Sequence, residues 1–215
     1  MGKIKLDLVS DIVCPWCIVG YKNLTKAINE LGLQEQVELE WQPFELNSNM
    51  PPEGENLREH IMRKYGSTRE QSDQARANLR AKGQEIGFTF NFSDDSKMVN
   101  TFDAHILLDF AKEHGKQTDL KLALFAAYFT DQQDVSNHQV LAAIVAGVGL
   151  DADQAMARLS QPEYRQHTRQ QIQYWQGLGV SSVPTVVFNR SSAMNGAHPV
   201  ESFKQVLSEL VAKVD

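Results

Sequence analysis

The chain has 215 residues, of which 42% are apolar and 22% charged, and its 27 acidic and 21 basic side chains give a net charge of −6. This is the composition of an ordinary globular protein with a sizeable core, and an acidic chain without a basic block argues against nucleic acid as a partner. The longest apolar run, VLAAIVAGVGL, is too short to cross a bilayer, and the start, MGKIKLDLVSD, lacks the apolar stretch of a secretory signal. We therefore expect a cytoplasmic protein without a membrane partner.

The first fifty residues predict a strand, a helix and a second strand. Apolar and polar residues alternate in KIKLDLV (3–9) and in QVELEWQPF (36–44), which is the period of a strand. Between these strands the apolar residues recur at helical spacing, at Leu24, Ala27, Ile28 and Leu31, and Gly32 is suited to end the helix. The pattern predicts a βαβ unit.

The middle of the chain predicts only helices. These cover residues 55–65, 68–86, 100–114, 117–130, 137–147, 152–159 and 162–177. Capping-box patterns accompany three of them, in Ser67 with Glu70, Ser136 with Gln139 and Asp151 with Gln154. The helices and their connections do not recur at a regular interval, so the segment is not a solenoid.

The last part of the chain returns to mixed structure. VPTVVFN (183–189) is rich in β-branched residues and AMNG (193–196) predicts a short returning strand. A final helix follows, with one apolar face formed by Phe203, Val206, Leu207, Leu210 and Val211. Because neither end alone could bury its apolar faces, we expect the strands of both ends to pair in one α/β sheet.

The only cysteines, Cys14 and Cys17, form a C-x-x-C motif between the first strand and the first helix. With Cys14 at the N-cap and Pro15 at the first helical position, the Cys14 sulfur would face free N–H groups and the positive end of the helix dipole. We therefore expect the pKa of Cys14 to be lowered and Cys17, one turn further in, to stay protonated. Cys14 would attack a disulfide and Cys17 would resolve the mixed disulfide.

Two other interpretations of the cysteines remain open at this point. A structural zinc site needs two more ligands, and the chain has no second cysteine pair and no closely spaced histidines. The cysteines could also be inert core residues. We expect no bound metal. Asp11 is either a solvated turn residue or a buried acid that modulates the pair, and His105 is more typical of a satisfied interior histidine than of a proton donor.

Several segments resemble the DsbA-like thioredoxin-fold oxidoreductases, and within them the FrnE-type cytosolic branch. They are SDIVCPWCIVG, WQPFELN, NTFDAH, AAYFTDQQDVSN, GVSSVPTVVFN and NGAHP, in the family's order. The resemblance implies a thioredoxin fold (βαβ…αββα), formed by residues 1–50 and 162–215, with an all-helical insertion at 51–161. His198 departs from the family pattern, because many relatives have glutamine at that position.

The same resemblance implies the roles of the site residues. Cys14 would be the nucleophile and Cys17 the resolving thiol. Pro184 would follow a cis peptide bond and lie against the dithiol, although a proline at the start of a strand is also common without any such role. Pro15, Trp16, Val183 and Pro184 would contact the substrate, with the Val183 backbone free to pair with an extended segment.

Three functions fit these residues. The first is a thiol–disulfide oxidoreductase, or isomerase, that acts on protein or small-molecule disulfides without a tightly bound cofactor, with glutathione as a reductant or ligand. The second is a glutathione-dependent transferase or isomerase like the kappa-class transferases and 2-hydroxychromene-2-carboxylate isomerases. Those enzymes typically have a serine in place of Cys14 and lack the second thiol, so the presence of both cysteines favours the first. The third is a holdase-like chaperone with a redox-sensing dithiol.

Overall fold

The computed structural model describes residues 3–212. In chain order its elements are β1 (Ile4–Ser10), α1 (Pro15–Glu30), β2 (Val37–Pro43), β3 (Glu55–Asn56), α2 (Leu57–Tyr65), α3 (Arg69–Ile86), β4 (Lys97–Met98), α4 (Phe102–Glu113), α5 (Gln117–Phe125), a π-helical turn (Ala126–Thr130), α6 (His138–Gly147), α7 (Ala152–Arg158), α8 (Pro162–Gly177), β5 (Thr185–Phe188), β6 (Ser192–Asn195) and α9 (Val200–Val211). No helix within 3–212 is both long and apolar enough to span a membrane.

One mixed sheet joins the two ends of the chain, as predicted. Its strand order is β2-β1-β5-β6. β1 runs parallel to β2, with Ile4 opposite Val37, and antiparallel to β5, with Leu6 opposite Phe188. β6 returns antiparallel to β5 at the edge. This βαβ…αββα order confirms the thioredoxin fold.

The central position of β1 follows from its sequence. Leu6 and Leu8 on one face and Asp7 and Val9 on the other are completely buried, so the strand is covered on both sides, as a central strand is. The helices α1 and α9 pack against each other, while α8 and α5 pack against β2. α1 ends just before Gly32, whose φ of +66° is the left-handed conformation that favours glycine at a helix end.

The segment between β2 and α8 is helical except for one short ribbon. The two-residue strands β3 and β4 pair antiparallel, with Glu55 opposite Met98. The expectation of an all-helical insertion therefore needs a correction, because this ribbon lies within the insertion. The helix that was predicted from residue 55 begins at Leu57. The domain boundaries at 50/51 and 161/162 stay a prediction.

The helix caps agree with the sequence at one of three places. Asp151 accepts a hydrogen bond from the Gln154 N–H at 3.0 Å, as predicted. The other two predictions are wrong by one residue, because Thr68 with Gln71 and Asn137 cap α3 and α6. The Ser136 hydroxyl instead donates to Asp134.

Two helical glycines give a matched test of packing. A Cβ at Gly83 would overlap the carbonyl oxygen of Phe88 and lie 2.8 Å from the Phe90 ring, whereas a Cβ at Gly147 would meet nothing within 4 Å. We expect Gly83→Ala to lower the free energy of unfolding by about 1–3 kcal/mol and Gly147→Ala to raise it by about 0.5–1 kcal/mol. Urea unfolding measures both. Equal changes in the two variants would contradict the packing described around α3.

Candidate active site

The two cysteines lie where β1 passes into α1. Cys14 is the N-cap residue with extended backbone (φ −94°, ψ 107°), Pro15 opens the helix, and the Cys17 N–H donates to the Cys14 carbonyl at 3.1 Å. Both cysteines are free thiols. Cys17 is completely buried and Cys14 is 4% exposed, whereas Trp16 between them is 45% exposed. Cys14 therefore presents the sulfur that a substrate can reach.

The loop ahead of β5 lies against Cys14. The Cys14 thiol donates to the carbonyl oxygen of Val183 at an Sγ–O distance of 3.6 Å, across 169 residues of sequence. The Val183–Pro184 peptide bond is cis, as the resemblance implies. Gly20 permits this approach, because a Cβ there would lie 3.2 Å from Pro184 Cγ.

The two thiols interact with each other in the reduced protein. The hydrogen bond to Cys17, and then burial, raise the pKa of Cys14 well above the ordinary thiol value. Burial by itself would raise the pKa of Cys17, but the nearby Cys14 thiol and Ser10 hydroxyl and the charge of Lys121 outweigh it and lower that pKa. The two thiols therefore share one proton at their first ionisation and titrate as a unit.

The expected lowering of the Cys14 pKa is not seen, because the two thiols share the first ionisation. Cys14 stands at the N-cap, and its side chain makes no capping hydrogen bond to the helix N–H groups. Cys17 has a hydroxyl, a thiol and a cation near its sulfur. These partners at Cys17 and the helix start at Cys14 both favour ionisation of the pair.

Lys121 brings a buried positive charge to the dithiol from α5. Its side chain is completely buried, and Nζ lies 5.3 Å from the ring centre of Trp41 and 5.1 Å from that of Phe125. Burial lowers the pKa of Lys121 to about 8, although the nearby Cys17 and Asp11 oppose that shift. The ammonium is therefore still charged at neutral pH, and the aromatic faces partly replace its lost hydration.

Asp11 is a buried acid whose oxygens are occupied. Oδ1 accepts from the Ile12 N–H and Oδ2 from the Leu46 N–H, both at 2.8 Å. Burial would raise the pKa of Asp11, but these bonds and that from His105 lower it. The His105 Nε2 lies 2.9 Å from the Phe44 carbonyl, and burial lowers its pKa. The pair thus fixes two loops beneath the dithiol, and Asp11 supplies a fixed negative charge there.

A groove runs from the dithiol to the helices α2 and α3. It has a volume of about 390 Å³, within the usual range for ligand sites. We call it the dithiol groove. On the sheet side it is lined by Cys14, Pro15, Trp16 and Val183, and its apolar lining on the other side includes Leu57, Ile61, Leu79, Phe92 and Phe129.

The structure brings together most of the residues that the sequence singled out. The dithiol, Pro15, Trp16, Val183 and Pro184 meet at one place, and Asp11 lies just beneath. His105 lies behind Asp11 and does not line the dithiol groove. Within residues 3–212, no three His, Cys, Asp or Glu side chains are grouped to hold a metal ion.

Sequence reasoning missed Lys121 and Gly20. Lys121 lies in an apolar run, LALF on its C-terminal side, at helical spacing from buried Leu124 and Phe125. A single lysine within an otherwise apolar helix face was the one feature of the sequence that could have identified Lys121 as a buried cation. Gly20 carries no signal of its own, because only the fold brings Pro184 against it.

Removal of the buried ammonium tests its effect on the thiols. We expect Lys121→Met to raise the pKa at which the pair first ionises and to slow alkylation of Cys14 at neutral pH several-fold, since less thiolate is present. Ultraviolet absorbance of the thiolate against pH measures the first quantity. Lys116→Met, on the exposed surface, is the control and should change neither. An unchanged titration in Lys121→Met would contradict the electrostatic role assigned to this residue.

Comparison with known proteins shows which family this chain matches. The DSBA-like thioredoxin domain matches residues 5–208. The crystal structure of the probable DsbA oxidoreductase SCO1869 from Streptomyces coelicolor is 31% identical in sequence, with a TM-score of 0.90 over 96% of this chain and 89% of that one. The uncharacterized protein YwbO of Bacillus subtilis is 25% identical over 207 residues, which is 96% of each chain.

A more distant structure shares the fold alone. The cytosolic disulfide reductase DsbM from Pseudomonas aeruginosa, in its structure with GSH, is 17% identical, with a TM-score of 0.65 over 97% of this chain and 99% of that one. The domain match and the 31% identity to SCO1869 extend over nearly the whole of the chain. This protein belongs to the DsbA-like thioredoxin-domain family.

Proposed function

We propose that the protein is a thiol–disulfide oxidoreductase in which Cys14 and Cys17 exchange electrons with a disulfide bound in the dithiol groove. One observation carries the proposal. The Cys14 sulfur is 3.6 Å from the Val183 carbonyl at the edge of an apolar groove, with a second free thiol behind it. An attacking thiol, a resolving thiol and a surface for substrate are thus in contact.

The first step uses the shared proton of the pair. As the Cys14 sulfur attacks one sulfur of the substrate, the shared proton remains on Cys17, a mixed disulfide forms and one substrate thiolate leaves. Because the two thiols titrate as a unit, the proton of the pair can stay on Cys17 while Cys14 attacks. The accessible sulfur is therefore the nucleophile.

The second step resolves the mixed disulfide. Cys17 loses the shared proton to the departing thiolate, which the charge of Lys121 favours. The Cys17 thiolate then attacks Cys14, the Cys14–Cys17 disulfide forms, and the second substrate thiol is released. Two electrons and the one proton of the ionised pair pass from the dithiol to the substrate, and solvent protonates the second substrate thiolate. A thiol reductant must return the two electrons.

We further propose a cytoplasmic location and glutathione as the thiol that restores the dithiol. In a reducing compartment a lone vicinal pair is typically catalytic. DsbM, whose name describes a cytosolic disulfide reductase and whose structure contains GSH, has the same fold. That likeness supports the proposal by analogy of fold only, and protein disulfides stay equally open as substrates.

Cysteine variants separate the two thiol roles. We expect Cys14→Ser to lower kcat/KM for insulin disulfide reduction roughly a thousand-fold or more, because the nucleophile is lost. Cys17→Ser should instead accumulate a mixed disulfide at Cys14, because nothing resolves it. Turbidity and intact-protein mass spectrometry measure these results.

The alternative functions give different results in the same experiments. Equal insulin reduction by the wild type and Cys14→Ser would contradict the proposal. Glutathione transfer to an electrophile that persists in Cys17→Ala would indicate a transferase or isomerase. Suppression of aggregation that neither cysteine variant changes would indicate a chaperone.

A further inference from the structure

The charge of the dithiol groove is opposite to that of the protein. The chain carries a net charge of −6, yet three cations, Arg58, Lys64 and Arg76, line the groove. Among the residues that the structure describes, no Asp or Glu lines it. A groove of one sign on a protein of the other concentrates ligands of complementary charge.

Within residues 3–212, these three cations form ion pairs with only two carboxylates, those of Asp73 and Asp94, which lie outside the groove lining. Arg58 Nη1 is 2.6 Å from Asp73 and Nη2 is 2.9 Å from Asp94. Asp94 is also the acidic neighbour of Arg76, at the longer distance of 3.8 Å. Lys64 Nζ donates to the oxygens of Leu46 and Asn47, which are neutral. The groove therefore keeps excess positive charge.

Arg76 is the most deeply placed of the three cations. It is 8% exposed, and its Nη1 donates to the Ser93 carbonyl at 3.0 Å. Burial and the neighbouring Arg58 charge lower its pKa, and the charges of Asp94 and Asp73 only partly oppose that shift. Its Nη2 atom is buried and has no hydrogen-bond partner within residues 3–212.

Two further hydrogen-bond donors in the wall of the groove are unpaired like Arg76 Nη2. Arg58 Nε and Ser67 Oγ are also buried without a partner in the described part of the chain, and both side chains line the dithiol groove. Proteins rarely leave buried donors unpaired. A carboxylate is the acceptor that pairs best with a guanidinium fork, and a carboxylate bound in the groove would offer an acceptor to donors that the described protein residues leave unpaired.

We propose that the dithiol groove binds an acidic peptide segment carrying the disulfide, with a carboxylate of that segment paired to Arg76. The inference rests on the proposed function. A peptide fits better than a compact small molecule, because the groove passes from the Val183 backbone across α2 and α3. Its lining also includes two aromatic residues that a bound peptide could cover, Trp16, which is 45% exposed, and Tyr65, which is 63% exposed. Arg76 thus becomes a specificity-determining residue.

Three homodisulfide peptides test the proposal with the intact protein. They are identical except that Glu, Gln or Lys flanks the cysteine. The rate of reduction by the reduced protein is divided by the rate with dithiothreitol, which removes the effect of charge on the reactivity of the peptide itself. We expect the wild type to prefer Glu over Gln roughly ten-fold, as one charge-assisted hydrogen bond would give, and Lys to be the poorest. Added NaCl should reduce the preference.

Matched variants assign the preference to one residue. Arg76→Gln should bring the ratio of Glu to Gln rates close to one, whereas Lys82→Gln, an equal change of charge on the same helix at a residue outside the groove lining that pairs with Glu85, should preserve it. Should Arg76→Gln not fold, Lys64→Gln tests the same groove charge and should lower the ratio.

The possible results separate this inference from the proposed function. A wild type that reduces all three peptides equally well, or a Lys82→Gln ratio that falls as far as that of Arg76→Gln, would overturn the inference and leave the oxidoreductase in place. Glutathione disulfide, a small acidic disulfide, is the fourth substrate in this comparison. Its reduction in preference to all three peptides would overturn the peptide assignment. Reduction of no disulfide of any charge would overturn the proposed function itself.

Discussion

The antiparallel pairing of β1 with β5 joins the two parts of the chain that form the site. It sets Leu6 opposite Phe188 and Val9 opposite Thr185. The loop after β1 and the loop before β5 therefore leave the sheet at the same end of these two central strands. The Cys14 thiol then meets the Val183 carbonyl across 169 residues. A slip of this register by one residue would turn every side chain of the strand to the other face, and the contact would be lost. Gly20 completes the arrangement by letting α1 approach Pro184.

The segment inserted between β2 and α8 contributes chemistry as well as surface. It supplies Lys121, whose buried charge lowers the pKa of Cys17, and His105, which holds Asp11 in place beneath the dithiol. It also forms one wall of the dithiol groove. The reactivity of a motif in one part of the chain is therefore set by residues of another. This arrangement explains how an uncharged Pro15-Trp16 pair can suffice between the cysteines, because the cation comes from α5.

Much of the fold could be predicted because its signals are local. Alternation in KIKLDLV and the β-branched VPTVVFN fix two strands, and helical spacing fixes the long helices. The cap positions at Thr68 and Asn137 were missed because adjacent residues offer equivalent oxygens, and only tertiary contacts choose between them. The two-residue ribbon of β3 and β4 is too short to leave a periodic signal. The buried cation near the dithiol was missed for a related reason, since the helix start is a local signal whereas Lys121 reaches Cys17 only through the fold.

The central claim is that Cys14 and Cys17 interconvert between dithiol and disulfide at this site. A redox titration of the purified protein against mixtures of reduced and oxidised glutathione, read by mass spectrometry of alkylated thiols, tests it most directly. The account predicts a reversible two-electron transition in which both cysteines are oxidised together, with a midpoint that shifts in Lys121→Met and not in Lys116→Met. A pair that stays reduced throughout, or that forms only a glutathione adduct on Cys14, would contradict it.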